Sequence, residues 1–141
     1  MIEKFQGTEG HRRLVEALKN QKIVQNSEAI AEALASEATL VQFGPGSDQT
    51  CFITEDDTDD DIFLILTGKV SVRIKGREVA VREPGDHVGE MASIDPTQRR
   101  GASVVAVEPT VMAKFSEPTF TKLAKEHSTL WRLIALELSN R

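Results

Sequence analysis

Residues 85–104 break the pattern of the sequence around them and contain the residue types that best fit phosphate chemistry. Gly89 lets the backbone approach a ligand closely, and the Glu-Met-Ala-Ser-Ile stretch after it predicts a short helix whose N-terminal amides point at an anion. Arg99 and Arg100 follow, and a guanidinium holds phosphate oxygens through two parallel hydrogen bonds, a geometry that lysine lacks. Together these residues predict a site for one phosphodiester.

The carboxylate of Glu90 can contribute to such a site only if it lies near the phosphate without touching it. In direct contact it would repel the anion, whereas one step away it accepts a hydrogen bond from a sugar hydroxyl, so that sugar and phosphate are read together. A Gly-Glu pair followed by arginines is common on protein surfaces, where such residues are usually solvated. Spacing and context must therefore decide between a site and a solvated surface.

The elements that position this segment are predicted to be strands. From Thr39 the sequence consists of short apolar or alternating runs, such as IFLILT and VSVRI, separated by turn-forming residues such as Pro84-Gly85. Several short strands at regular spacing favour an antiparallel sandwich, barrel or jelly roll. The segment with phosphate chemistry is therefore expected to connect strands of this β-structure.

Helices are predicted on both sides of the strands. Apolar residues at helical spacing indicate an amphipathic helix over residues 12–22, and Ser27 is a plausible N-cap for a second, shorter helix. After Phe115 helical signals return, with Ser116 as one helix start and Ser128 as a possible cap of the terminal helix. The predicted class is α+β, an antiparallel β jelly roll or barrel flanked by N-terminal and C-terminal helices. The predicted single domain covers residues 1–141, with N-terminal helices at 1–38, a β-roll at 39–116 and C-terminal helices at 117–141.

Length and composition fit one soluble domain. The chain has 141 residues, of which 40% are hydrophobic and 28% charged, the range of a globular protein. No apolar run approaches the roughly 18 residues of a membrane span, and the N-terminus lacks the apolar region of a secretory signal, so we expect a cytoplasmic location and no membrane contact. A net charge of -5 argues against direct binding to nucleic acid.

Two features are expected to carry no chemistry. Cys51 is the only cysteine and lies in an apolar TCFIT context, which favours a buried strand residue over a reactive thiol. Residues 55–61 (EDDTDDD) offer oxygen ligands for a hard cation but lack the spacing of a calcium loop. A solvated turn between strands is the preferred interpretation of this acidic run.

Residues 88–104 resemble the phosphate-binding cassette of the cyclic-nucleotide-binding family, which includes the catabolite activator, protein kinase A regulatory subunits and cyclic-nucleotide-gated channels. The family pattern is Phe-Gly-Glu-Leu-Ala-Leu, a variable loop, then Arg-Ala-Ala-Thr/Ser-Val, and this chain has VGEMAS followed by RGASV. Val88 departs from the usual Phe. The strand-Gly-strand unit around Gly68 is also similar to the family, so the resemblance runs from about Thr39 to the end.

The resemblance implies roles for individual residues. Glu90 would bond the ribose 2'-hydroxyl and Arg100 would pair with the cyclic phosphate. Arg99 adjoins Arg100 and is the alternative phosphate ligand, although alignment with the Gly-Ala-Ser-Val tail favours Arg100. Backbone contacts would come from three residues of the VGEMAS stretch, namely Gly89, Met91 and Ala92.

Two further ligand contacts each have an ordinary structural alternative. Ser103 would contact the phosphate or the base of the ligand. In the alternative interpretation, its hydroxyl forms hydrogen bonds only within its own sheet. In the family a residue of the terminal helix often caps the base, and Trp131 or Leu130 are the candidates, whereas a lone helical Trp is more often a core residue. The preferred base among cyclic UMP, CMP, AMP and GMP is not fixed by these residues.

An enzyme of the cupin type shares the jelly-roll architecture and would hold a metal through clustered His and carboxylate ligands. His87 and Glu90 suggest such a site, but His11 and His127 lie in predicted helices and the sequence has no His-x-His pair. His87 is therefore predicted to be a partly exposed turn residue. We expect no catalytic residues, no metal and no cofactor in this chain.

A sensor requires an output, which the resemblance places outside these residues. In the family, ligand closure moves the terminal helices and relays binding to an attached domain or a dimer partner, so a C-terminal effector and a homodimer are expected. The N-terminal helices, the acidic turn and the ending are similar to the sensor half of bacterial effectors with a TIR-type NAD-cleaving domain, activated in antiphage defence by cyclic pyrimidine nucleotides. The alternative is a catabolite-activator-type transcription regulator that senses cyclic AMP. Residues 136–141 end in a predicted helix, so we expect more chain to follow.

Overall fold

The computed structural model describes residues 1–44, 51–56, 61–89 and 101–139. A short 3-10 helix, Ile2–Phe5, precedes four α-helices in the described residues. These are α1 (Gly7–Lys19), α2 (Glu28–Glu37), α3 (Glu117–Glu126) and α4 (Ser128–Ser139). The described residues between α2 and α3 form eight strands, which confirms the predicted α+β class with helices on both sides of the β-structure.

The helix ends follow from local chemistry. The Ser27 hydroxyl accepts a hydrogen bond from the Ile30 amide at 3.3 Å, and the Ser116 hydroxyl accepts one from the Thr119 amide at 3.4 Å, so both serines are N-caps as predicted. Ser128, predicted as a possible cap, is instead the first residue of α4. The amide of Leu130 there bonds the His127 carbonyl at 2.8 Å.

The first helix, predicted over residues 12–22, begins earlier and ends sooner, at Gly7 and Lys19. Its first turn is polar and therefore carries no apolar stripe that a periodicity could detect. Its end is set by tertiary contacts, because the Lys22 amide donates to the Gly85 carbonyl at 2.9 Å and the Gln21 side chain donates to the Ile65 carbonyl at 2.7 Å. If the helix continued through Lys22, the Lys22 amide would instead donate to the Leu18 carbonyl, four residues earlier.

The eight strands form two four-stranded antiparallel sheets. Their order is β1-β8-β3-β6 in the first sheet and β2-β7-β4-β5 in the second. The strands are β1 (Thr39–Phe43), β2 (Cys51–Ile53), β3 (Ile62–Thr67), β4 (Val70–Ile74), β5 (Arg77–Arg82), β6 (His87–Val88), β7 (Ser103–Ala106) and β8 (Thr110–Phe115).

Strand β3 separates two hydrophobic cores, because successive side chains of a strand face opposite sides. Ile62, Leu64 and Leu66 face a core, here called the helix core, that also takes buried side chains from the 3-10 helix, all four α-helices and β8. Phe63 and Ile65 face the other side. The core on that side, here called the roll core, consists of Ile53, Phe63, Ile65, Val70, Val88, Val104 and Met112, with Val41, Phe43, Phe52 and Val72 packed against it.

The turn between β3 and β4 depends on Gly68. Its φ of +102° lies in the left-handed region, and a side chain there would run into Thr110 at the start of β8. The Thr110 hydroxyl also accepts a hydrogen bond from the Lys69 amide at 3.2 Å. The strand-Gly-strand unit predicted from the sequence therefore exists and closes against β8.

Cys51 lies on strand β2 as predicted, but its side chain is only half-buried, and its thiol donates to the Ile53 carbonyl at 3.3 Å. Of the acidic run, Glu55 and Asp56 lie in the turn after β2 and Asp61 precedes β3, while residues 57–60 fall outside the described residues. None of the described helices is long and apolar enough to cross a membrane.

Candidate functional site

The two ends of the predicted cassette come from different sheets and meet at one core. Val88 is the last residue of β6, at the edge of the first sheet, and Val104 lies on β7, inside the second sheet. Both side chains belong to the roll core, and each is only 4% exposed. The chain therefore leaves β6 and enters β7 at the same apolar cluster, although these two strands belong to different sheets.

Gly89 carries the chain out of β6 with a φ of +97°. This left-handed conformation is accessible to glycine without strain and is costly for residues with a Cβ atom. The residue is half-buried and directly follows the roll-core residue Val88. A glycine is therefore required at the position where the sequence predicted a close backbone approach to a ligand.

Five of the predicted ligand-binding residues lie outside the described residues. Their assignments stay predictions, since the described structure covers the chain only up to Gly89 and again from Gly101. They are Glu90, Met91, Ala92, Arg99 and Arg100.

Ser103 opens β7 and is half-buried. Its hydroxyl oxygen accepts a hydrogen bond from the Glu55 amide at 2.9 Å, and the Glu55 carboxylate in turn accepts one from the Lys75 amide at 2.9 Å. The serine thus ties the start of β7 to the turn after β2, which supports the interpretation of its hydroxyl as part of the sheet. The Ser103 hydroxyl accepts this bond and can still donate its own proton, so a contact between Ser103 and a ligand stays a prediction.

A polar cluster that the sequence did not predict lies on the strand beside Ser103. Arg73 of β4 is the register partner of Ser103. The Arg73 Nε donates to the Ser71 hydroxyl at 3.1 Å, and that hydroxyl donates to the Glu78 carboxylate at 2.7 Å. Ser71 is fully buried, so the three side chains together satisfy polar groups that burial would otherwise penalise. Residue types alone gave no signal for this arrangement.

The two candidates for capping the base lie on α4 and pack on the helix core. Leu130 is fully buried there, which is the position of an ordinary core residue. Trp131 is half-buried and packs against the same core from outside. This packing supports the interpretation of Trp131 as a core residue. The role of Trp131 as a cap on the base stays a prediction.

The prediction of a partly exposed turn residue at His87 is wrong. His87 is a fully buried residue of strand β6. Its register partner is Leu64, which belongs to the helix core and is equally buried. The strand has only two residues, too few for an alternation that a sequence pattern could reveal. In the part of the chain that the structure describes, no three His, Cys, Asp or Glu side chains are grouped to hold a metal ion.

The strand that leads into the cassette is held by the linker between α1 and α2. Lys22 Nζ lies 2.7 Å from the Asp86 carboxylate, one residue before β6, and the Glu83 amide donates to the same carboxylate at 2.8 Å. Burial by itself raises the pKa of Asp86, but the Lys22 hydrogen bond, the Glu83 amide and the charges of Lys22 and Arg82 outweigh it, so the pKa lies below its usual range. The carboxylate is therefore held in its charged form.

Comparison with known sequences gives one matching family. The model of the family described as "Cyclic nucleotide-binding domain" matches residues 40–127, which covers the β-roll and α3. Over 141 residues the chain is 46% identical to the "Pycsar effector protein XpPycTIR" of Xanthomonas perforans and 38% identical to the "Pycsar effector protein PaPycTIR" of Pseudomonas aeruginosa. The whole chain is covered in both cases, but only 46% and 45% of these relatives, so the chain spans about half their length.

Solved structures show the same fold. The co-crystal structure of the regulatory domain of Toxoplasma gondii PKA with cAMP matches with a TM-score of 0.71 and 22% sequence identity. The match covers 89% of this chain and 49% of that one. At this identity the likeness supports the two-sheet roll with flanking helices, and it does not by itself assign a ligand.

Proposed function

Because this chain belongs to the cyclic nucleotide-binding domain family, we propose that it is a sensor that binds a 3',5'-cyclic mononucleotide at the cassette of residues 88–104. The observation that carries the proposal is the convergence of Val88 and Val104 on the roll core. Val88 directly precedes the Gly-Glu pair and Val104 closes the Arg-Gly-Ala-Ser-Val stretch, so their convergence supports the proposal that the two halves of the motif bind one ligand. A single ligand with a phosphate and a sugar then has both halves of its site within reach.

The phosphate is proposed to sit between backbone amides and a guanidinium. Amides at Gly89, Met91 and Ala92 donate to the phosphate oxygens, and Arg100 pairs with them as a fork, with Arg99 as the alternative. A phosphate above an apolar cluster such as the roll core is poorly solvated, so an unpaired anion there is strongly disfavoured. A full positive charge on arginine is therefore the dominant requirement of the site.

The sugar and the base are proposed to be read by different groups. Glu90 accepts a hydrogen bond from the ribose 2'-hydroxyl, which distinguishes ribose from deoxyribose. Ser103 adds a donor to the phosphate or base, and Trp131 caps the base. The apolar part of the surface next to the second cassette end comes from Val72 of β4, which lies opposite Val104. This surface contributes contact area that depends little on the identity of the base.

We propose cyclic UMP or cyclic CMP as the ligand in preference to cyclic AMP or GMP. Relatives named Pycsar effector proteins support the resemblance to sensors of TIR-type effectors in antiphage defence. In this proposal the chain itself is not catalytic, and an attached C-terminal effector, a TIR-type NADase, supplies the activity. A cytoplasmic location stays a prediction, as does a homodimer.

Strand β8 is proposed to relay binding from the roll core to the C-terminal helices. Met112 of β8 lies in the roll core, while Phe115 at the end of the same strand lies in the helix core. Phe115 contacts Phe120 of α3 edge to face, with ring centroids 6.0 Å apart. A shift of the roll core on ligand closure therefore reaches α3 through one strand and one aromatic pair.

Isothermal titration calorimetry tests the ligand class and the base. The purified chain is titrated with 3',5'-cyclic UMP, CMP, AMP and GMP in parallel, with linear monophosphates as controls. Micromolar or tighter binding of a cyclic pyrimidine nucleotide, with no heat from its linear form, is the expected result. Preference for cyclic AMP would favour the transcription-regulator alternative, and no binding to any of the four would contradict the proposal.

A further inference from the structure

Glu55, the first residue of the acidic run, joins two segments that lie far from it in sequence. Its amide donates to the Ser103 hydroxyl at 2.9 Å, and its carboxylate accepts from the Lys75 amide at 2.9 Å. The residue is half-buried, whereas Asp56 beside it is exposed. Glu55 is therefore bonded to the body of the protein, although the run as a whole was predicted as a solvated turn.

The Lys75 amide lies at the tip of the hairpin between β4 and β5. Ile74 and Arg77 are register partners, so Lys75 and Gly76 form a two-residue turn. Their φ values of +51° and +78° are those of a type I′ turn, in which Asn-Gly or Gly-Gly is favoured over a residue with a long side chain at the first position. The bond from the Lys75 amide to Glu55 thus stabilises a turn that its own residue types favour less.

The Ser103 hydroxyl lies where the cassette joins β7. The described residues here, Gly101 to Ser103, are called the cassette exit. Val104, the next residue, packs in the roll core, and successive side chains of a strand alternate between its two faces. The contact with Glu55 therefore holds the cassette exit from the side opposite to the roll core.

The hairpin tip and the cassette exit are close enough for one residue to connect them. Arg73 of β4 is the register partner of Ser103, and Lys75 follows two residues later, roughly 7 Å further along the strand. Glu55 spans this distance with its amide at one end and its carboxylate at the other. We call these two hydrogen bonds the Glu55 bridge. Loss of the carboxylate would release the turn after β2 and would weaken the amide contact with Ser103 as well.

We propose that Glu55 is a positioning residue for ligand binding, whose carboxylate holds the turn from which its amide fixes the cassette exit. This inference rests on the proposed function, because it assigns a task to contacts beside the proposed nucleotide site. A site that is ordered before binding gives higher affinity, since less conformational entropy is lost when the ligand arrives. Gly101, the residue after Arg100, does not restrict the backbone by itself, so order at this end depends on contacts such as the Glu55 bridge.

Isothermal titration calorimetry of the chain and its variants with cyclic UMP and with cyclic CMP tests the proposal. E55A removes the acceptor, E55Q keeps an acceptor oxygen without the charge, and E55D keeps the charge but shortens the reach by one methylene group. S103A and E55A/S103A complete a double-mutant cycle. The matched control is E117A, because Glu117 is also half-buried and accepts one hydrogen bond, from the Thr121 hydroxyl at 2.6 Å on α3.

The expected result is a loss of affinity of about tenfold for E55A, with E55Q within about threefold of the wild type and E55D weaker than E55Q. E117A keeps the wild-type affinity. In the S103A background E55A costs less than about threefold, because the hydroxyl that the Glu55 amide holds is already absent. A role in general stability would lower the affinity equally in both backgrounds, and this comparison does not depend on whether Ser103 also contacts the ligand.

Three results would overturn this inference while leaving the proposed function intact. They are a folded E55A that binds like the wild type, an E55Q as weak as E55A, and an equal loss from E55A with and without the Ser103 hydroxyl. Thermal unfolding followed by circular dichroism shows whether each variant is folded, and the comparison of E55D with E55Q decides the question if E55A is not. A wild-type chain that binds neither nucleotide would overturn the proposed function and this inference together.

Discussion

Replacing Val104 with alanine is expected to destabilise the chain by about 2 kcal/mol, because this side chain supports one end of the cassette on the roll core. Val104 is 4% exposed and packs in the roll core, opposite Val72 of the neighbouring strand. Two methyl groups are lost, at about 0.8 kcal/mol each, and the small cavity that remains adds a few tenths. The matched control is Val79→Ala on β5, whose side chain is 56% exposed and which should cost about 0.5 kcal/mol or less.

The assay is urea unfolding of wild type, V104A and V79A, followed by circular dichroism. An unchanged dependence of the unfolding free energy on urea would show that the folded and unfolded states keep their exposed areas, so that the midpoints compare directly. Equal losses for V104A and V79A, or a loss below about 0.5 kcal/mol for V104A, would refute the assignment of this residue to a packed core beneath the cassette.

Three further predictions concern the cassette and the strand that enters it. Arg100→Ala should weaken binding of the cyclic nucleotide about 100-fold or more in calorimetry, while Arg99→Ala should have a small effect; the opposite order would move the phosphate contact to Arg99. Glu90→Ala should reduce the preference for the ribose over the 2'-deoxy ligand, and a variant that keeps the preference would exclude this carboxylate from the sugar contact. Asp86→Asn should destabilise the chain by about 1 kcal/mol at pH 7, because the folded-state pKa of Asp86 is lowered by its contacts with Lys22 and the Glu83 amide. This contribution to stability is present above the unfolded-state pKa of about 4 and is lost as pH falls through the folded-state pKa. Urea unfolding of wild type and D86N from pH 7 to pH 3 measures it. A difference in unfolding free energy that stays constant over this range would contradict the prediction.

The strand part of the fold follows from sequence patterns that reflect burial. Strand β3, Ile62–Thr67, is a continuous apolar run because it has a core on each side, and such a run between turn residues is a strong strand signal. Ser27 and Ser116 are caps for a local reason that the sequence also shows. The order of the strands within the two sheets was not available from the sequence, since pairing is set by long-range packing.

Tertiary contacts explain the features that the sequence did not predict. The first helix ends before Lys22 because the Lys22 amide bonds the Gly85 carbonyl, far away in sequence, and so does not continue the helical hydrogen-bond pattern. His87 is buried because its strand pairs with β3, which two residues of sequence cannot indicate. The cassette motif was recognisable because its residue types follow one another along the chain, whereas the packing of its two ends, Val88 and Val104, in one core appears only in the folded structure.

Amide chemical shifts of the isotope-labelled chain, measured by NMR during titration with cyclic UMP or CMP, test most directly whether both cassette ends hold one ligand. We predict large, saturating shifts at Gly89 and at Gly101 to Ser103, with one shared affinity, and little change in the exposed strand β5, Arg77–Arg82. Shifts at only one cassette end, or shifts confined to residues away from both ends, would contradict the account.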